Sequence, residues 1–85
     1  VKELIFSPTA LKSLRKHANR AALIERKIGQ YASDPASQAN HVTALVGSPF
    51  LRLRVGDFRV ILLEMPDAVT IIDLGPRGEI YRKYG

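Results

Sequence analysis

The sequence predicts an α+β fold of order β-α-α-β-β-β, with a helical hairpin packed on one face of a small antiparallel sheet. Three observations lead there. Apolar residues recur at helical spacing between Pro8 and Ala32, they alternate with a two-residue period beyond Phe50, and proline, glycine or asparagine interrupts the chain between successive runs. With 85 residues, 46% of them hydrophobic, the chain reads as one domain over 1–85 with a single modest core. No internal repeat or linker divides it.

Lys2-Glu3-Leu4-Ile5-Phe6 reads as a short strand that stops at Ser7-Pro8. Ser7 is a good helix N-cap, and Pro8 sits where its missing N–H costs nothing, so a first helix should run from about Pro8 to His17 with Leu11 and Leu14 inward. Asn19 suits the turn. A second helix from about Arg20 to Ala32 follows, with Ile24, Ile28 and Tyr31 at i, i+4 and i+7, and Asp34-Pro35 ends it. Residues 36–49 are small and polar apart from Val42, Leu45 and Val46, and read as an extended connector with one brief ordered turn. Phe50–Val55 and Phe58–Met65 should form a hairpin and Val69–Leu74 the next strand. Past the turn Gly75-Pro76-Arg77-Gly78, a last short strand is expected at Glu79–Arg82.

The hairpin carries the chemistry. Leu51, Leu53 and Val55 alternate with Arg52 and Arg54, and Gly56-Asp57 suits a two-residue turn in which Gly supplies a positive φ. If Val55 faces Phe58, Leu53 faces Val60 and Leu51 faces Leu62 on the apolar side. Arg54 then lies opposite Arg59 on the other side, with Arg52 diagonal to it. Like charges directly opposite destabilise a ladder, so the arrangement asks for an anion, and the planar guanidinium fork suits phosphate.

Thirteen Lys and Arg against eight Asp and Glu give a net charge of +5, which points to a polyanionic partner. Most of the excess lies before Phe50, whereas the later half uses arginine with Lys83 as its one lysine. Lys12 and Lys16 on the first helix, with Arg82 and Lys83 near the end, are candidate RNA contacts. No metal or other cofactor is expected, because the two histidines, His17 and His41, form no H-E-x-x-H motif and the carboxylates are not clustered. Both histidines read as structural. There is no cysteine, hence no disulfide frame, and the apolar run Leu4-Ile5-Phe6 is too short for a secretory core or a membrane span. A cytoplasmic protein is the expectation.

The run Leu51 to Ile61, followed by Gly75-Pro76-Arg77-Gly78-Glu79-Ile80-Tyr81-Arg82, resembles the RelE/ParE superfamily of toxins from bacterial type II toxin–antitoxin pairs, most closely its RelE-type branch. The likeness spans the whole chain, with Ser7-Pro8 and Gly47-Ser48-Pro49 as less specific support. It implies a metal-free, ribosome-dependent mRNA endonuclease (an mRNA interferase) with a cognate antitoxin and ribosome-bound mRNA as partners. Arg52, Arg54, Arg59, Arg77 and Tyr81 match that branch's catalytic positions. By resemblance, Arg59 would hold the scissile phosphate and Arg77 would stabilise or protonate the leaving 5′ oxygen, while Tyr81 would position or deprotonate the attacking 2′-OH. Lysines often stand where this chain has Arg52 and Arg54, and arginine does not readily give up its proton, so these two should stabilise charge. Two candidates remain for the general base, Tyr81 and Glu79, which strand alternation would send to one side. Two alternatives of other classes are a ParE-like DNA gyrase inhibitor and a non-catalytic nucleic-acid-binding module. ParE-like members commonly lack the full arginine and tyrosine set.

Overall fold

The structure, a computed structural model, describes residues 2–84; residues 1 and 85 of the single-domain reading lie outside them. Strand β1 (Glu3–Phe6) leads into α1 (Pro8–Lys16). Ser7 caps α1 as its sequence position requires, accepting a hydrogen bond from the Ala10 amide at 3.0 Å while its own hydroxyl donates to the Ile72 carbonyl at 2.6 Å. One side chain therefore starts the helix and docks it on the sheet. α2 (Ala18–Ser33) follows at once, since His17 serves both helices: its amide closes α1 on Ser13 and its carbonyl receives the Arg20 amide. The break thus falls at His17, whose ring also packs edge-on against Phe58 at 4.9 Å, and Asn19 lies inside α2.

The expected connector is more ordered than its composition suggested. A 3₁₀ helix (Pro35–His41) occupies its first part and a short strand β2 (Val42–Ala44) the next. Pro35 opens that helix, and the Asp34 carbonyl accepts from both the amide and the hydroxyl of Ser37. β3 (Leu51–Val55), β4 (Phe58–Glu64) and β5 (Ala68–Pro76) complete a five-stranded sheet of order β1-β5-β4-β3-β2. The α+β class stands, but the sheet is mixed, because β1 pairs parallel with β5 while the other pairs are antiparallel. A parallel pair needs a long crossover, which the two helices and the strands after them provide.

The hairpin register is the expected one: Val55 faces Phe58, Leu53 faces Val60, Leu51 faces Leu62 and Arg54 faces Arg59. Gly56 has φ of +58° and Asp57 does not go positive, the pattern of a type II′ turn. The alternation divides the sheet into two faces. On one, Leu53, Val60, Leu62 and Ile71 meet Ala10, Leu14, Ile24, Ile28 and Tyr31 of the helical layer. On the other, a smaller cluster joins Leu45 and Ile61 to Ile80.

Ile80 belongs to the main departure. Arg77–Tyr84 is a helix, α3, not a strand. It lies across the sheet face opposite α1 and α2, with Ile80 1% exposed against Ile61 and Leu45. Glu79 and Tyr81 are then about 200° apart around the axis, not on one side.

Candidate active site

Arg52, Arg54 and Arg59 project from β3 and β4 on the side away from the large core, and α3 brings Tyr81 over them. Together with Asn40, His41 and Thr43 these residues line an open cleft of about 170 Å³. Its floor and one wall are cationic. The other wall is neutral, built from the end of the 3₁₀ helix and β2, whose Thr43 pairs with Arg52.

Each arginine is held differently. Arg54 donates to Nδ1 of His41 at 3.0 Å. Arg59 folds back on its own turn, one guanidinium nitrogen donating to the carbonyls of Gly56 and Phe58 at 2.8 and 2.9 Å. Arg52 lies 4.6 Å from the centre of the Tyr81 ring, and Arg77 lies 5.2 Å from it. Among the described residues, no carboxylate forms an ion pair with Arg54, Arg59 or Arg77. The charges of Arg54, Arg59 and Arg77 are thus available to an external anion.

Tyr81 responds to that charge. Hydrogen bonding from Arg77, then from Arg59, together with the fields of Arg52 and Arg77, holds its pKa below the ordinary tyrosine value, against a desolvation effect of opposite sign. A cationic cradle favours the phenolate, the form able to take a proton. Glu79 is elsewhere. It lines a separate groove with Ser13, Lys16, His17, Arg82 and Lys83, and its carboxylate faces Gly75. The strand-based expectation that Glu79 and Tyr81 share a side is overturned by the helical period, and of the two it is Tyr81 that stands at the arginines.

Lys12, Lys16, Arg82 and Lys83 are brought together, but not with the cleft. Lys12, Lys16 and Lys83 line a groove with Thr9 and Ser13, and Arg82 joins Lys16 and Lys83 in the adjoining one. α3 separates this second basic surface from the first. His41, Asn40 and Thr43 were not among the expected site residues. The usable signal lay in Val42-Thr43-Ala44, a short strand-forming run that could pair with β3 and draw the preceding residues to its arginines. Among the described residues no group of three or more His, Cys, Asp or Glu side chains is clustered as a metal site would require, and no helix is long and apolar enough to cross a membrane.

This fold, two helices behind a five-stranded sheet, is shared with solved bacterial and archaeal proteins of toxin–antitoxin complexes. The structure superposes on the RelBE2 toxin–antitoxin complex from Mycobacterium tuberculosis with a TM-score of 0.72 at 22% identity, covering 89% of this chain and 98% of that one. It matches the RelB–RelE complex from Methanococcus jannaschii with a TM-score of 0.69 at 21% identity, covering 95% and 99% of the two chains. For a mutant of Escherichia coli RelE in the free state the values are 0.68 and 22%, over 98% and 93%. No curated protein matches in sequence. Residues 4–81 match the family model for the ParE toxin of the type II toxin–antitoxin system parDE. The chain belongs to this family of the RelE/ParE superfamily and is the toxin component of a type II toxin–antitoxin pair.

Proposed function

We propose that this toxin is an endoribonuclease that cuts mRNA on the ribosome by transesterification. The observation that carries the reading is Tyr81, placed by α3 between the guanidinium groups of Arg52 and Arg77 above the arginine hairpin. The Tyr81 phenolate takes the proton of the substrate's 2′-OH, and the 2′ oxygen attacks the adjacent phosphorus. The P–O5′ bond breaks, leaving a 2′,3′-cyclic phosphate and a 5′-OH whose proton comes from solvent. As the phosphorus centre gains charge, Arg52, Arg54 and Arg59 stabilise it more in the transition state than in the ground state, and Arg77 stabilises the leaving oxygen. Lys12, Lys16, Arg82 and Lys83 hold RNA outside the cleft. The partner that silences the toxin is an antitoxin, a class of partner present in the RelB complexes of its structural relatives; the +5 charge steers in an acidic one.

The ParE description of the family model favours a second reading, inhibition of DNA gyrase. Induction in cells separates the two. Loss of protein synthesis before any change in plasmid supercoiling, with new 5′ ends mapping inside translated messages, is expected; early loss of supercoiling with intact messages would overturn the endonuclease reading.

A further inference from the structure

The Asp73 carboxylate is the one charged side chain in the described core, 1% exposed, and the proposed chemistry does not use it. A β-bulge explains its position. The β4–β5 register shifts between Ile61 and Leu62, so that Ile61 pairs with Asp73 and Leu62 with Ile71, and Ile72 and Asp73 are both delivered toward the α3 side. Four donors from three elements converge on it. The Leu74 amide reaches Oδ1 at 2.8 Å and the Ser13 hydroxyl of α1 at 3.3 Å. From α3, the Tyr84 hydroxyl reaches Oδ2 at 3.1 Å and Lys83 at 3.5 Å.

An isolated helix of eight residues is not stable in water, so α3 owes its place to its points of attachment. Among the described residues these fall at three places. At its start the Arg77 amide donates to the Asp57 carbonyl at 2.9 Å, in its middle Ile80 is buried, and at its end Tyr84 and Lys83 meet Asp73 while the Tyr84 ring packs edge-on against Phe50. Tyr81 lies between the second and third. Its place above Arg52 is set by whether both ends are held, because release of the last turn would let the ring swing away from the hairpin.

We infer that Asp73 is a positioning residue, latching the C-terminal turn of α3 through Tyr84 and Lys83 so that the Tyr81 phenol stays over Arg52 and within reach of Arg59. The latch stands on this geometry alone; its effect on cleavage rests on the endonuclease reading.

The test uses the three tyrosines. Tyr31 and Tyr84 are raised, the first by burial and Glu64, the second by burial and Asp73, whereas Tyr81 is lowered, so Tyr81 is the first phenol to ionise in an ultraviolet titration. Tyr84→Phe removes only the hydroxyl that meets Asp73. The first step of the titration should move up toward the ordinary tyrosine range in this variant and in Asp73→Asn. Ser13→Ala, which touches the same carboxylate from α1, should leave it in place. In RNA cleavage Tyr84→Phe should lower kcat about fivefold, the factor attached to one hydrogen bond of ordinary net worth, with KM little changed. A first step that does not move in folded Tyr84→Phe overturns the latch, whatever the fate of Asp73→Asn, and so does an equal shift in Ser13→Ala. A shifted titration in a protein that cuts no RNA in any form leaves the latch standing and removes the endonuclease reading.

Discussion

Arg54 donates a hydrogen bond to Nδ1 of His41 at 3.0 Å. A guanidinium has no acceptor, so Nδ1 must accept and the imidazole proton must sit on Nε2. The contact gives Arg54, which stands directly opposite Arg59, a neutral partner that orients it without cancelling its charge. His41→Leu should therefore lower cleavage by about 10- to 100-fold, the range expected when a hydrogen bond to a charged group is lost. Asn, which can offer an oxygen at the same place, should recover part of it. Equal loss in both variants would show that the ring acts in some other way.

Arg59→Ala and Arg77→Ala should each abolish growth inhibition and leave a folded domain. Loss of a single transition-state donor costs about 100- to 1000-fold in rate, whereas surface substitutions usually shift stability by no more than about 0.5 kcal/mol. Arg59→Ala should be the more costly to fold of the two, because its guanidinium closes on the Gly56 and Phe58 carbonyls. Circular dichroism, thermal melts and a toxicity assay are the measurements, and a folded double variant that is still toxic would contradict the proposed site.

The pH dependence of cleavage should follow Tyr81. Its pKa lies below the ordinary value, so the phenolate forms, and kcat rises, at lower pH than a free tyrosine would allow. Tyr81→Phe should remove that rise. Glu79→Gln should preserve it, since Glu79 lines the other groove. A profile flattened by Glu79→Gln and untouched by Tyr81→Phe would reverse the assignment.

A separate carboxylate governs stability. Glu64 pairs with Lys2 and accepts a hydrogen bond from the Tyr31 hydroxyl, tying β4 to α2 and to the residue before β1. Hydrogen bonding from Lys2, then from Tyr31, lowers the Glu64 pKa against its desolvation. Its contribution is then present above about pH 4.3, the unfolded glutamate value, and is lost as pH falls through the lower folded value. Tyr31 behaves oppositely. Burial and Glu64 raise it, so its contribution is complete below about pH 10 and is lost as pH rises beyond. Thermal melts across pH should show both slopes. Glu64→Gln should flatten the acid one and Tyr31→Phe part of the alkaline one, where the raised Tyr84 adds to the loss and the lowered Tyr81 opposes it.

A bridge from α3 to the core is measurable as well. Ile80→Ala should cost about 2–5 kcal/mol if α3 stays docked around the cavity. Undocking of α3 would limit the cost, and cleavage would then fall further than the melt predicts. Amide exchange over residues 77–84 distinguishes the two outcomes, and exchange unchanged beside lost activity would argue against α3 as the carrier of the site.

Local chemistry was enough for much of this molecule. Ser7-Pro8 is a helix start wherever it is placed, and Gly56-Asp57 between two alternating runs allows few registers, of which one puts Leu51, Leu53, Val55, Phe58 and Val60 on a common face. The arginine face was therefore readable from residues 51–60, because strand period and turn length are short-range properties. The family could be recognised from the same residues with Gly75 to Arg82.

What lay beyond reach depends on contacts between distant segments. Glu79, Ile80 and Tyr81 fit a strand or a helix equally over so few positions, and the choice is made by Leu45 and Ile61, which bury one side of Ile80, and by Asp73, which receives the end of α3. β1 carries no mark of being parallel; it pairs with β5 because α1, held by Ser7 to Ile72, leaves it there. His41 entered the cleft for a like reason, once β2 had paired with β3 and drawn the 3₁₀ segment to Arg54. Backbone preference and hydrophobic period act over a few residues, whereas burial is a property of the assembled sheet, so the arginines were legible in order along the chain and the tyrosine helix that completes their site was not.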